Sequence, residues 1–310
     1  MTKQEYAVID MGTNSLRLMT GWKDESRDRW VLSPKQVETT RLGLHAEQTG
    51  RLSEAGMQAS FAVLERWRSR LAQVPVCVVA TSAVREAKDG KAFLAEVRAR
   101  FGWHCRAITG WEEASLGFCG VTAELPAQQC VLTVDIGGGS SEVASGMRGD
   151  VHWSHSYPVG AVRLQEQRER EGLSLDDLVS RCEKQWLAMP LQAETVIGMG
   201  GTITAAAAVE LGLTVYDPQQ VQGYYIGLEK LTALIQRLDR MGAEERRHVC
   251  GLPADRSEII VPGLVILWSF LCHYGLPGIQ ASERDLMEGV FYRHSFHDAA
   301  WRGGAGVGTK

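Results

Sequence analysis

The chain has 310 residues, of which 45% are hydrophobic and 23% charged. This is ordinary globular composition and excludes disordered, collagenous and low-complexity classes. Lys+Arg total 33 against 37 Asp+Glu, a formal net charge of −4, the wrong sign for a general nucleic-acid or membrane coat. Any polyanion site is therefore a local basic lining. The 7 cysteines form no CxxC pair, and their odd number argues against a disulfide framework or a zinc ribbon. The start, Met1 to Glu5, carries no signal-peptide core, and the longest apolar stretch, Leu264 to Cys272, is too short to span a bilayer. These features predict a reduced, cytoplasmic protein without nucleic-acid or membrane partners.

In chain order, Tyr6 to Asp10 is an apolar strand, followed by a turn at Gly12 to Asn14 and by period-two alternation through Leu16 and Leu18. Ser53 to Ala72 reads as an amphipathic helix with Ser53 as N-cap. Val76 to Ala80 is a continuous apolar strand, and Ala92 to Arg100 a helix. Val131 to Asp135 restarts the strand signal, Gly137 to Gly139 turn it, and Val143 to Ser145 carry it back. Leu175 to Met189 reads as a helix and Thr195 to Gly198 as a strand. Further helices follow at Ile203 to Leu211, Leu228 to Met241 and Val261 to Tyr274, and the Gly-rich tail from Gly303 to Lys310 is expected to be mobile.

Two strand–turn–strand units share one pattern. Asp10-Met11-Gly12-Thr13-Asn14-Ser15 and Asp135-Ile136-Gly137-Gly138-Gly139-Ser140 both read D-x-G-x-x-S after an apolar strand, 125 residues apart when 10 is subtracted from 135. The repeat predicts two similar halves facing each other across a cleft, divided near Gly120 to Gln129, with domains at 1–123 and 124–310 and the last helix packing back on the first.

Glycines in such turns let backbone N–H groups converge on phosphate oxygens, and Ser15, Ser140 and Ser141 add hydroxyl donors. The preceding aspartates, Asp10 and Asp135, stand at strand ends where a hard cation could be held. Each turn is followed by alternation rather than a helix, so these are hairpin phosphate loops and not P-loops or dinucleotide fingerprints. A third glycine element, Gly198-Met199-Gly200-Gly201-Thr202, opens a helix. It reads either as an anion site at a helix N-terminus or as a tight packing turn. Glu112 and Glu113 after Gly110 read alone as a solvated first helical turn. Thr81 to Ala87 places hydroxyls and Arg85 after a buried strand, as ligand-binding groups or as a simple cap.

Taken together, these segments resemble the exopolyphosphatase / guanosine pentaphosphate phosphohydrolase (Ppx/GppA) family. The resemblance is carried by VIDMGTNSLRL (8–18), ATSAVREAKDG (80–90), ITGWEEASLGFCGV (108–121), TVDIGGGSSEV (133–143), PVGAVRL (158–164) and GMGGTITAAA (198–207), with RSEIIVPGLVIL (256–267) and SERDLMEGVF (282–291) extending it. It implies an α/β protein of two RNase-H-like domains, of the actin-like ATPase, sugar-kinase and Hsp70 superfold, flanking an active-site cleft. It also implies roles for particular residues. Glu113 becomes the catalytic carboxylate and Arg85 a phosphate-binding arginine. Gly12, Thr13, Asn14 and Ser15 form one phosphate loop, and Gly137, Gly138, Gly139, Ser140 and Ser141 the other. Gly200, Gly201 and Thr202 add anion contacts, while Asp135 and Asp10 hold Mg²⁺ or Mn²⁺. Ser141, Asp89 and Met287 depart from the residues commoner at those positions. The length matches a short form without a helical HD-like C-terminal portion.

The implied activity is release of terminal phosphate from inorganic polyphosphate. Hydrolysis of guanosine pentaphosphate (pppGpp) is the alternative, and a catalytically weak nucleotide-binding regulator a third reading; a homodimer is compatible with each. Arg85, Arg17 and Arg41 are the cations expected near the substrate, few enough to predict cleavage with release between cuts.

Overall fold

The computed structural model describes residues 3–189 and 193–293, so the Gly-rich tail lies outside the described residues. The chain forms two units. Thr109 closes the first stretch of one unit, the second unit runs from Gly110 to Gly289, and the chain rejoins the first at Val290.

In the first unit, β1 (Glu5–Met11), β2 (Ser15–Asp24), β3 (Arg29–Leu32), β4 (Gln36–Thr39), β5 (Val76–Ala80) and β6 (His104–Ala107) form one sheet. Its order is β3-β2-β1-β5-β6, with β4 also on β2. β2 is antiparallel to β1, while β5 and β6 run parallel to it. β5 and the Ala7–Ile9 stretch of β1 are apolar and buried, as expected for adjacent parallel strands covered by helices. Those helices are the short α1 (Ala46–Thr49), α2 (Glu54–Arg68), α3 (Ser82–Glu86) and α4 (Gly90–Phe101). As expected, Ser53 caps α2, its side chain accepting from Gly56 N. The helix ends at Arg68 rather than Ala72, in a turn where Leu71 N donates to Trp67 O and Arg68 O. Val63, Leu64 and Trp67 of α2 and Phe93, Leu94 and Val97 of α4 close one core over Ile9, Leu18 and Val78.

The second unit repeats this plan. β7 (Val131–Ile136), β8 (Ser141–Met147), β9 (Asp150–Tyr157), β10 (Thr195–Met199), β11 (Tyr225–Gly227) and β12 (Gly278–Ala281) lie in the order β9-β8-β7-β10-β12-β11. β7 and β8 form an antiparallel hairpin, and β10 and β12 continue in parallel. Third-second-first followed by parallel strands is the RNase-H-like arrangement, now present twice. The fold class implied by the resemblance therefore holds. The helices are α5 (Gly110–Thr122), α6 (Ala161–Glu171), α7 (Leu175–Glu183), α8 (Gly201–Leu211), α9 (Pro218–Val221), α10 (Leu228–Asp239), α11 (Ala243–Arg246), α12 (Ile260–His273) and α13 (Leu286–Arg293), the last crossing back to the first unit.

Two differences from the sequence reading have clear causes. α7 stops at Glu183, not Met189, because the chain turns to insert Trp186 between Tyr157 and Phe270, where its Nε1 donates to Ser269 Oγ at 2.9 Å. The division falls at Thr109/Gly110 rather than 123/124. α5 buries Ala114, Phe118 and Val121 against Val131, Ala144, Ile197 and Met199 of the second sheet. Its backbone also meets α13 closely: a Cβ on Gly120 would lie 1.9 Å from Asp285 O, and one on Gly289 1.9 Å from Leu116 O.

Candidate active site

Each hairpin turn is closed by the same bond. Gly12 N donates to Ser15 O at 3.0 Å, and Gly137 N donates to Ser140 O at 3.0 Å. A Cβ at either glycine would press on that carbonyl, at 3.1 and 3.0 Å. Beyond this bond the turns keep their amides for another partner. Among the described residues, the N–H groups of Gly138, Gly139 and Ser140 donate to no carbonyl. Converging backbone donors of this kind make an anion-binding concavity.

The two loops are held differently. Asn14 O accepts from Thr40 N and Arg41 N, and Thr13 O from Gly43 N. Thr13 packs on Gly43 and Gly43 on Ala83, so the first loop lies beside the start of α3. In the second unit, α6 begins on the loop itself: Ala161 N donates to Gly137 O and Val162 N to Gly138 O, both at 2.9 Å. Gly160 is required there, since a Cβ would sit 2.5 Å from the carbonyl of Gly138. Ser141 is fully buried and donates through Oγ to Val159 O at 2.6 Å. Its hydroxyl pins the loop instead of facing a ligand.

The aspartates also differ. Opposite Asp10 on β2 stands Arg17, whose Nη2 and Nε lie 2.7 and 2.8 Å from Asp10 Oδ2. Opposite Asp135 on β8 stands Glu142, which is buried and accepts from Ser156 Oγ at 2.7 Å. Across the hairpin, an arginine thus faces the aspartate in the first unit and a glutamate faces it in the second. Glu142 was missed in the sequence. Its signal is the hairpin register: with Ile136 opposite Ser141, Glu142 must face Asp135.

Three further elements meet this pair. Gly200, at φ 86°, brings the β10–α8 turn so close that a Cβ would lie 2.3 Å from Asp135 Oδ1. Gly201 lies against Arg256, whose Nη2 would be 1.8 Å from a Cβ there. That arginine brings a cation to the α8 N-terminus, a location no local pattern announced. Thr202, by contrast, is buried and turns its side chain into α12 at Gly263, so its hydroxyl is committed to packing. The start of α5 rests on β9, where a Cβ on Gly110 would meet Ser156 Cβ at 2.4 Å. Glu113 follows one turn later on the same helix face, half-buried, while Trp111 is exposed. Glu113, Asp135 and Glu142 accordingly belong to one unit. In the other, Arg85 donates through Nη1 to Ile108 O at 3.0 Å.

A divalent cation fits Asp135 and Glu142. Both offer hard oxygen donors, and Mg²⁺ is commonly held by one or two carboxylates while keeping most of its waters. Among the described residues no cluster of three or more His, Cys, Asp or Glu forms an all-protein cage. Three buried thiols are poor nucleophiles. Burial pushes the Cys105 and Cys182 thiols up to about 12, and Cys77 higher still, the reverse of what a thiolate nucleophile needs. No helix among the described residues is long and apolar enough to cross a membrane.

The model of the Ppx/GppA phosphatase family matches residues 30–296. The chain belongs to this family. Exopolyphosphatase 2 of Mycobacterium tuberculosis is 29% identical over 314 aligned positions, covering 94% of this chain and 98% of that one. Among solved structures, the Ppx/GppA family member of Aquifex aeolicus is 27% identical with a TM-score of 0.76, covering 95% of this chain and all of its own. An exopolyphosphatase-like protein is 26% identical with a TM-score of 0.83, covering 93% of this chain and 98% of that one. These Ppx/GppA relatives span both units, so the family assignment applies to the whole α/β architecture.

Proposed function

We propose that this Ppx/GppA phosphatase is a divalent-metal-dependent exopolyphosphatase, hydrolysing the terminal phosphoanhydride of inorganic polyphosphate. The observation that carries the proposal is the position of Asp135 opposite Glu142, beside a loop whose Gly138, Gly139 and Ser140 N–H groups donate to no carbonyl. A polyphosphate terminus needs both elements. The amides of Gly138, Gly139 and Ser140 bind its oxygens; Asp135 and Glu142 would hold a divalent cation, which would offset the remaining charge. In the first unit, Thr13, Asn14 and Arg85 are the phosphate-binding groups. Asp10, ion-paired through Oδ2 with Arg17, is assigned to the fold of the loop in this proposal, and the metal to Asp135 and Glu142.

Glu113 orients a water in line with the bond to be broken and accepts its proton at the carboxylate. Phosphoryl transfer needs positioning and charge stabilisation more than covalent help, so no serine or cysteine nucleophile is invoked. The test is phosphate release from long polyphosphate, tripolyphosphate, pppGpp and ATP at one metal concentration. Preference for the polyphosphates supports the proposal. Preference for pppGpp assigns the enzyme to the nucleotide instead, and failure on all four leaves a binding protein.

A further inference from the structure

Arg85 is set by more than the helix that carries it. α3 is anchored to the strand end that opens the first hairpin: Thr81 N donates to Met11 O at 3.1 Å, and Arg85 N to Thr81 O at 2.9 Å. Ala83 packs beside Gly43, which itself packs on Thr13 of the loop. At the far end of the side chain, Arg85 Nη1 donates to Ile108 O at 3.0 Å. The other terminal nitrogen, Nη2, faces Glu86 Oε1 at 4.0 Å. Each end of the rigid guanidinium fork thus has a neighbour, and two such neighbours define its plane.

Glu86 does not take this position unaided. Ser82, one turn earlier on the same face of α3, donates through Oγ to the same oxygen, Glu86 Oε1, at 2.9 Å. Ser82 is buried, at 2% exposure, so its hydroxyl is a fixed point against which the carboxylate is oriented. The direct contribution to folding is small, because the Arg85 and Glu86 side chains are 21% and 46% exposed and a partly exposed ion pair adds little stability. A carboxylate beside a polyanion also costs affinity by repulsion. Orientation acts in the opposite direction: a planar guanidinium matches phosphate oxygens in one plane only, so a fork that swings loses its paired bonds.

We propose that Glu86 is a positioning residue for Arg85, braced by Ser82, and that the two hold the Arg85 fork in the plane that meets a substrate phosphate. The inference rests on the reading of Arg85 as a phosphate-binding group of a polyphosphate hydrolase. It gives Glu86 and Ser82 no contact with substrate.

Glu86→Ala, Glu86→Gln and Ser82→Ala are made in the full chain and again in Arg85→Gln, and kcat and KM are measured on long-chain polyphosphate. The sign of the KM change is diagnostic, since relief of repulsion alone lowers KM and loss of orientation raises it. Glu86→Ala should raise KM about fivefold and Ser82→Ala, which keeps the charge, about two- to threefold, with kcat within about twofold. Glu86→Gln keeps an acceptor for both donors and should fall between wild type and Glu86→Ala; it carries the comparison where a thermal melt shows Glu86→Ala to be unfolded. In Arg85→Gln neither Glu86→Ala nor Ser82→Ala should raise KM further, because the group they position is gone. An unchanged or lowered KM, or an equal rise in both backgrounds, overturns the positioning role. A wild-type KM in Arg85→Gln itself removes Arg85 from the substrate, and the positioning with it. Where the wild-type chain releases no phosphate, the same cycle is read from the tripolyphosphate Kd by calorimetry. Coupled changes in Kd then uphold the positioning while the activity reading falls, and additive changes or no binding overturn both.

Discussion

Arg17 Nη2 lies 2.7 Å from Asp10 Oδ2, across the first hairpin at the position where the second hairpin sets Glu142 opposite Asp135. One backbone plan thus sets an arginine opposite the aspartate in one unit and a glutamate opposite it in the other. Asp10 is nearly inaccessible, at 3% exposure, so its charge is balanced by the guanidinium and not by solvent.

This asymmetry separates two variants that the repeated motif alone would treat alike. Asp135→Asn removes an anionic ligand and should raise the Mg²⁺ concentration for half-activity by about tenfold or more. Asp10→Asn should leave that midpoint unchanged and lower stability by roughly 1–2 kcal/mol, because the partly exposed Arg17 guanidinium loses its charged partner while keeping a hydrogen bond. A Mg²⁺ titration and a thermal melt on each variant check both statements. Equal shifts in metal midpoint would return Asp10 to the metal site.

Glu142 should behave like Asp135. Glu142→Gln is expected to raise the Mg²⁺ midpoint to a similar extent, and Ser156→Ala, which removes the 2.7 Å bond to Glu142 Oε1, to shift it about two- to fivefold. A normal metal dependence in Glu142→Gln would confine its role to folding.

Glu113→Gln keeps the shape of the side chain and removes the base. Turnover should fall by about two orders of magnitude or more, with KM largely kept, since a carboxylate repels bound substrate in the ground state. Glu112→Gln should be far milder. A loss of less than about fivefold in Glu113→Gln would exclude general-base catalysis by this residue.

Gly160 offers a steric test of the second loop. Gly160→Ala drives a methyl to within 2.5 Å of the Gly138 carbonyl, so the loop must shift and KM should rise at least about tenfold, or the fold should weaken by roughly 2 kcal/mol or more. Gly172→Ala is the control. Its φ of 65° makes alanine strained, at about 1 kcal/mol, but nothing lies within 4 Å of the added carbon, so activity should be retained.

Much of this was legible in the chain. The D-x-G-x-x-S repeat, the apolar strands before it and the alternation after it are local signals, because a hairpin is made by residues close in sequence. They placed both loops, and the family motifs placed Glu113 and Arg85 among candidate groups. Other features depended on packing. That α5 joins the second unit follows from Phe118 and Val121 finding their core there, beyond a polar stretch that reads as a boundary. That Ser141 and Thr202 turn inward follows from a carbonyl at Val159 and a space at Gly263. Arg256 reaches Gly201 over 55 positions (256 − 201). The sequence by itself determined which residues could bind phosphate, since donor chemistry and turn geometry are local. Only the tertiary structure decided which hydroxyls turn inward and which distant cation meets the α8 turn, because Ser141, Thr202 and Gly201 find their partners at Val159, Gly263 and Arg256, far along the chain.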